Sequence, residues 1–185
     1  MKRLIAAILG TATTLHCVAD EPSPHAIYLA AEYLAASIDV KEGGSDASSS
    51  PQAFGIRVGQ QYSDYFAIEV LAALGTSDDE VSGENFDIEM EDLYQFSVIG
   101  LYPHFNRLTP YLQLGVAYVS YEDSRGQNSD GTDFTYALGA RFSFSDHWGA
   151  KLEYLVLPEA EYDMAQGSVE GEAVNLGVYY QFSLD

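Results

Sequence analysis

The sequence predicts an all-β protein: an eight-stranded antiparallel up-and-down transmembrane β-barrel. Three observations carry that expectation. Eight stretches alternate apolar and polar residues with a period of two, the spacing of strands whose two faces meet different media. The connections between them run alternately short and long, the asymmetry of barrels that cross a membrane. Aromatic residues gather at both ends of the apolar face, where a bilayer would have its two interfaces.

Residues 1–19 are expected to be a signal peptide and residues 20–185 the barrel. Lys2 and Arg3 make a basic start, Leu4 to Leu15 is apolar and small, and Cys17-Val18-Ala19 offers a cleavage site before Asp20. Leu15 and His16 before Cys17 do not make a lipidation signal. Cleavage removes the single cysteine, and with it thiol and disulfide chemistry. It leaves six basic residues against 28 acidic ones, a formal charge of −22 in place of −20. A chain this acidic is not expected to bind nucleic acid. No later segment is apolar for 18 residues, so helical spans are not expected.

The strands follow in order. The first is about Ala26–Asp39, with Ile27, Leu29, Ala31, Tyr33 and Ala35 on one face and Glu32 on the other. Ala53–Tyr62 sets Phe54, Ile56, Val58 and Tyr62 against Gly55, Arg57, Gly59 and Gln61. Phe66–Gly75 sets Phe66, Ile68, Val70, Ala72 and Leu74 against Glu69. Asp92–Tyr102 alternates Tyr94, Phe96, Val98 and Tyr102 with Gln95 and Ser97. Tyr111–Tyr121 opposes Leu112, Leu114, Val116 and Tyr118 to Gln113, Gly115 and Ala117. Tyr136–Phe144 and Trp148–Tyr154 form a hairpin with Arg141, Lys151 and Glu153 on the polar face. Ala173–Leu184 closes the set, its Val174, Leu176, Val178, Tyr180 and Phe182 opposite Asn175, Gly177 and Gln181.

Ser63-Asp64-Tyr65 and Ser145-Asp146-His147 are the short turns, and a compact segment with Pro103 and Pro110 is the third. Val40–Gln52, Thr76–Glu91, Glu122–Thr132 and Pro158–Glu172 are the long connections. The acids crowd there; the second long connection alone holds Asp78, Asp79, Glu80, Glu84, Asp87, Glu89 and Glu91.

The apolar face is expected to meet lipid. The polar face carries Gly, Ala, Gln and a few charges, which suits a narrow interior. Tyr62, Phe66, Tyr102, Phe144, Trp148 and Phe182 form an aromatic girdle at the short-turn end, and Tyr33, Tyr94, Tyr118, Phe134 and Tyr154 one at the other. Strands of about 10 tilted residues suffice to cross.

The run Gly139-Ala-Arg-Phe-Ser-Phe-Ser-Asp-His-Trp-Gly-Ala-Lys-Leu-Glu-Tyr154 resembles the penultimate hairpin of the small eight-stranded outer-membrane barrels, the OmpA transmembrane domain and the OmpX/Ail group. Lys151-Leu152-Glu153-Tyr154 matches a basic-Leu-Glu-Tyr pattern there, and the likeness of pattern extends over residues 26–185. The chain departs from the family at its end, where Ser183-Leu184-Asp185 follow Phe182 instead of a terminal aromatic. The resemblance implies a bacterial outer-membrane location and termini in the periplasm. It implies assembly by periplasmic chaperones and the barrel-assembly machinery, and contact with lipid and lipopolysaccharide. It does not extend to a peptidoglycan-binding domain.

Six inward charges are expected to form a neutral structural network: Glu32, Arg57, Glu69, Arg141, Lys151 and Glu153. Pairing Tyr62 with Phe66 sets Gly59 opposite Glu69 and Arg57 diagonal to it. Pairing Phe144 with Trp148 sets Gly139 opposite Glu153, Arg141 diagonal to Glu153 and Arg141 facing Lys151. The family's barrels have such interior networks.

Catalytic chemistry is not expected. His25, His104 and His147 are the histidines left after cleavage, none forms a His-x-Ser pair, and His147 with Asp146 sits at a short turn. No cofactor motif is present, because Gly43-Gly44 lies in a long connection and the other glycines repeat at strand spacing. Asp78-Asp79-Glu80 lacks the spacing of a calcium loop, so no built metal site is expected and divalent cations would be held weakly at most. The expected role is a structural or adhesin-like anchor that displays acidic surface loops to an unnamed partner. The alternative is a narrow porin or gated channel, which a lumen as wide as its own side chains disfavours.

Overall fold

The computed structural model describes residues 26–42, 45–77, 79–80, 87–123, 128–162 and 167–183. The expected signal peptide lies outside them, as do Asp78, Glu84 and Leu184-Asp185. Eleven strands appear among the described residues: β1 (Ala26–Glu42), β2 (Ser45–Ser49), β3 (Gln52–Ser63), β4 (Phe66–Ser77), β5 (Asp79–Glu80), β6 (Asp87–Leu101), β7 (Leu108–Asp123), β8 (Asn128–Ser143), β9 (Trp148–Val156), β10 (Ala160–Tyr162) and β11 (Gly167–Ser183). Eight of them, β1, β3, β4, β6, β7, β8, β9 and β11, each pair antiparallel with the next, and β11 pairs back with β1. The wall is therefore a closed eight-stranded barrel with no open edge.

The alternation read from the sequence sets the two faces. Phe54, Ile56, Val58, Val70, Leu74, Leu112, Leu114, Leu138, Leu152 and Leu176 are exposed outside, while Arg57, Glu69, Gln113, Lys151, Glu153 and Asn175 are buried inside. Large apolar side chains on the outside of a closed barrel, with the charges within, place lipid around it.

The strands run further than the alternation suggested, most of all at the long-connection end. β1 continues to Glu42, β6 begins at Asp87, β7 continues to Asp123, and β8 and β11 begin at Asn128 and Gly167. Much of what reads as loop is thus ladder. Ser45–Ser49 folds back on β1, Asp79-Glu80 pairs with Ile88-Asp87, and Ala160–Tyr162 bridges β11 and β8. Polar residues extend a sheet readily when each backbone N–H and C=O finds a neighbouring strand. Pro110 likewise lies within β7, opposite Ala140.

The turn between β3 and β4 differs by one residue from the expected register. Ser63, not Tyr62, pairs with Phe66, and a bulge at Tyr62 absorbs the difference. Above the bulge Gly59 still faces Glu69. In the β8–β9 hairpin Gly139 faces Glu153 and Arg141 faces Lys151, as the sequence predicts.

The lumen is not uniformly polar. Toward the long-connection end Leu34, Ile38, Leu71, Leu93, Val119 and Leu155 point inward and are fully buried, part of one apolar cluster with Ala53, Met90, Tyr121 and Leu157. Leu34, Leu71 and Leu155 stand between apolar outward neighbours, a pattern that alternation alone does not separate from lipid contact.

Candidate functional site

The charged layer of the lumen is built by adjacent positions on five strands. Glu32 comes from β1, Arg57 from β3, Glu69 from β4, Arg141 from β8, and Lys151 and Glu153 from β9. The structure brings all six together. Arg57 is the hub. Its Nε lies 2.6 Å from Glu32 Oε1 and its Nη2 2.9 Å from Glu32 Oε2, a two-pronged clasp. The same guanidinium reaches Glu69 Oε2 at 2.7 Å, Glu153 Oε1 at 2.9 Å and Gln113 Oε1 at 3.2 Å. Lys151 Nζ sits 3.2 Å from Glu32, 3.3 Å from Glu153 and 3.7 Å from Glu69. It is in ion-pair range of all three but makes no directed hydrogen bond. Three acids balance three bases, so the layer is neutral as a whole.

The second hairpin behaves differently from expectation. Arg141 donates to Glu69 Oε1 at 2.6 Å across the lumen and to the Tyr28 hydroxyl, and forms no pair with Glu153. Glu153 goes to Arg57 and Lys151 instead. The cause is height. Glu69 is the third residue after Phe66, and Lys151, opposite Arg141, is the third after Trp148. Leu71, opposite Arg57, and Glu153 are each the fifth. Charges at equal height meet across a lumen this narrow.

Four neutral partners complete the layer, and the sequence reading did not assign them to it. Tyr28 donates to Glu69 Oε1 at 2.5 Å and Tyr111 to Glu153 Oε2 at 2.8 Å. Asn175 Nδ2 donates to Glu32 Oε2 at 2.5 Å, and Gln113 accepts from Arg57. The Arg141 guanidinium lies 4.4 Å from the Tyr28 ring centre and 5.6 Å from that of Tyr111. A signal was available: both tyrosines share the inward parity, and each stands opposite a glycine. Tyr28 faces Gly59 and Tyr111 faces Gly139. A Cβ on Gly59 would come within 2.2 Å of the Tyr28 ring, and one on Gly139 within 2.3 Å of Tyr111. Each ring therefore lies flat on bare backbone, with its hydroxyl aimed along the wall at a carboxylate.

On the outer face Tyr62, Phe66, Tyr102, Phe144, Trp148 and Phe182 are all exposed at the short-turn end. Tyr102 stacks on His104 at 4.2 Å, and Trp148 packs edge-on to Tyr180 at 5.0 Å, as does Tyr180 to Phe182 at 4.7 Å. Tyr94, Phe134 and Tyr154 are exposed toward the other end, with Tyr33 and Tyr118 half-buried there. Among the described residues no three His, Asp, Glu or Cys side chains converge as a metal site.

A closed antiparallel barrel, apolar and aromatic-rimmed outside with a neutral charged lumen, defines an integral β-barrel of the bacterial outer membrane. The sequence matches the family described as outer membrane protein beta-barrel domain over residues 4–182, and the chain belongs to that family. Three solved structures illustrate the likeness. Ail, the attachment invasion locus protein of Yersinia pestis, in complex with the heparin analogue sucrose octasulfate, is 18% identical, with 86% of this chain and 99% of that chain covered and a TM-score of 0.57. The outer membrane protein OprG from Pseudomonas aeruginosa is 16% identical, with coverage of 88% and 97% and a TM-score of 0.58. The outer membrane protein AlkL, in DMPC lipid bilayers, is 16% identical, with coverage of 92% and 96% and a TM-score of 0.62. At these identities the likeness is one of fold. No curated protein matches the chain.

Proposed function

We propose that this protein is a structural, adhesin-like anchor: a barrel that displays acidic loops at the cell surface and conducts little or nothing through its plugged lumen. The observation that carries the reading is the burial of all six lumen charges, each tied to an opposite charge across the bore. Breaking such a pair leaves a buried charge uncompensated, which opposes spontaneous opening. The long connections face outward and the Ser63-Asp64 and Ser145-Asp146 turns face the periplasm. No enzymatic activity is proposed.

The acids of the long connections set the chemistry of the display surface. With a formal charge of −22 after cleavage, the chain repels polyanions, so a sulfated ligand such as the one held by Ail does not transfer to it. A cationic surface, or lipopolysaccharide bridged by Mg²⁺ or Ca²⁺, fits better. During biogenesis the alternation of Ala173–Ser183 suits recognition by the barrel-assembly machinery. The second reading is a gated narrow channel. Arg141 favours it, with one carboxylate partner among the described residues and a side chain 8% exposed.

Single-channel recording in planar bilayers separates the two. The anchor predicts a silent wild type; a large, stable open state promotes the channel. Pull-down from intact cells, with and without residues 78–86, identifies a loop-dependent partner, and an identical capture profile from both removes the display role.

A further inference from the structure

Three tyrosines of the lumen lie on glycines of a neighbouring strand, and two of them aim their hydroxyls at a carboxylate. Tyr28 crosses Gly59 to reach Glu69, and Tyr111 crosses Gly139 to reach Glu153. The third is Tyr179, opposite Gly149. A Cβ on that glycine would come within 2.2 Å of its ring. Its hydroxyl meets no acid. Among the described residues its partner is Ser143 Oγ, at 3.0 Å.

Arg141 stands two residues before Ser143 on the same face of β8. Its Nη2 serves both Glu69 and Tyr28. Its Nε and Nη1 make no hydrogen bond among the described residues and are still open to solvent. Solvent reaches them from the short-turn end. On that side the inward positions Thr109, Ser143 and Gln181 are half-buried, and Arg141 itself is 7% exposed. Above, toward the long connections, Arg57 and the leucine tier of Leu34, Leu71, Leu93 and Leu155 are 0% exposed. The lip of this mouth adds a second cation. Arg107 is exposed, and its carbonyl accepts from the Ser143 N–H at 2.9 Å. Asp64 and Asp146, the acids of that end among the described residues, stand exposed in the turns.

We infer that the short-turn mouth of the barrel binds a small oxyanion, a carboxylate or a phosphate. Arg141 Nε and Nη1 hold it, and the Tyr179–Ser143 hydroxyl pair supplies a further donor. The third tyrosine is then completed from outside, as Glu69 and Glu153 complete the other two from within. Hydrogen bonds from a guanidinium to an anion are the strong, charge-assisted kind. Arg107 at the lip raises the local anion concentration. The leucine tier makes the site a dead end. That feature rests on the plugged lumen of the proposed function, whereas the anion contacts do not.

The test uses the full-length mature protein in lipid nanodiscs. It is titrated with sodium acetate or sodium phosphate, with NaCl at matched ionic strength as reference. Saturable NMR shifts are expected at the Arg141 Nε–H and at the Thr109 and Ser143 amides in the millimolar range, and none with NaCl. Whichever of acetate and phosphate saturates at the lower concentration names the anion class. Arg141→Met should abolish saturation. Arg107→Gln should weaken binding roughly threefold, an effect that fades with added salt. If heat-modifiable gel mobility shows that Arg141→Met does not fold, Y179F/S143A decides, with an expected loss of about tenfold. Shifts that grow linearly, that match those in NaCl, or that survive these variants unchanged overturn the inference. Single-channel recording keeps the two readings apart. A conducting wild type ends the plugged-anchor reading, whereas a silent wild type without saturable shifts ends this inference alone.

Discussion

The hairpins β3–β4 and β8–β9 carry the same parts and use them differently. Each has a short Ser-Asp turn, an inward arginine, an inward glutamate and a glycine that faces the glutamate under a tyrosine from the preceding wall strand. In β3–β4 the arginine stands one inward position above its glutamate, toward the leucines. In β8–β9 it stands one below, toward the short turns. That displacement puts Arg57 at the centre of three carboxylates, while Arg141 holds Glu69 and the faces of two tyrosines. The order of glycine and arginine along the strand, more than the composition of the hairpin, decides whether a charge becomes a hub.

The largest break in the comparison is expected from removing the hub. Arg57→Met strands three buried carboxylates with two cations and should cost about 3–5 kcal/mol. Urea unfolding in detergent, followed by gel mobility, reads the loss directly. A cost below that of Arg141→Met would show that Arg57 is not the centre.

Lipid should not distinguish the hairpins. Val70→Arg in the first and Leu152→Arg in the second each put a cation on the outer face, for ~2–4 kcal/mol near the midplane. Gln113→Ala, inside, should be mild by comparison. Equal tolerance of Val70→Arg and Gln113→Ala in refolding assays would remove lipid from the outer face.

Arg141→Met comes next, at about 1.5–3 kcal/mol, the range for hydrogen bonds to charged groups. Its double-mutant cycle with Glu69→Gln should show coupling, and its cycle with Glu153→Gln little. The reverse result would restore the pairing within the hairpin.

The smallest effect lies at the loops, where neither hairpin dominates. Thermal stability in lipopolysaccharide-containing membranes should rise on adding Mg²⁺, and rise less after Asp78, Asp79 and Glu80 become Asn, Asn and Gln. NaCl at matched ionic strength performing as well as Mg²⁺ would leave only a screened surface. Independently, protease added to intact cells should cut near Gly83 or Gly126 and spare Asp146.

The eight staves were legible because lipid outside and charge inside impose a period of two on residues such as Phe54, Ile56 and Val58. So was Gly139 opposite Glu153, because turn length fixes register; Gly59 opposite Glu69 holds because a bulge at Tyr62 offsets the one-residue difference at the turn. The cross-lumen pairs were harder. Diagonal rules describe an open sheet, and Arg141 meets Glu69 only once the sheet closes. Counting residues from Phe66 and from Trp148 would have found it. The leucine tier escaped for a different reason: Leu34, Leu71 and Leu155 are apolar next to apolar outward neighbours, and alternation is silent when both faces are greasy. Tyr28 and Tyr111 hid in plain parity, since a tyrosine at a strand end reads first as girdle.

The ladders of β1 and β11 pair over 17 residues, from Ala26↔Ser183 to Glu42↔Gly167. At about 3.3 Å per residue and a tilt near 40°, such strands stand roughly 43 Å tall against an apolar band of about 25 Å. The excess lies on the side of the long connections and forms a mast, hydrogen-bonded from β1 to β11 as far as Glu42 and Gly167. What is carried there rides on posts already in place instead of on tethers. A ligand that docks on these paired strands has less chain to immobilise, so its contacts convert more fully into affinity. The same stiffness transmits a pull on the upper ladder to the wall below it, which suits the anchoring role proposed above.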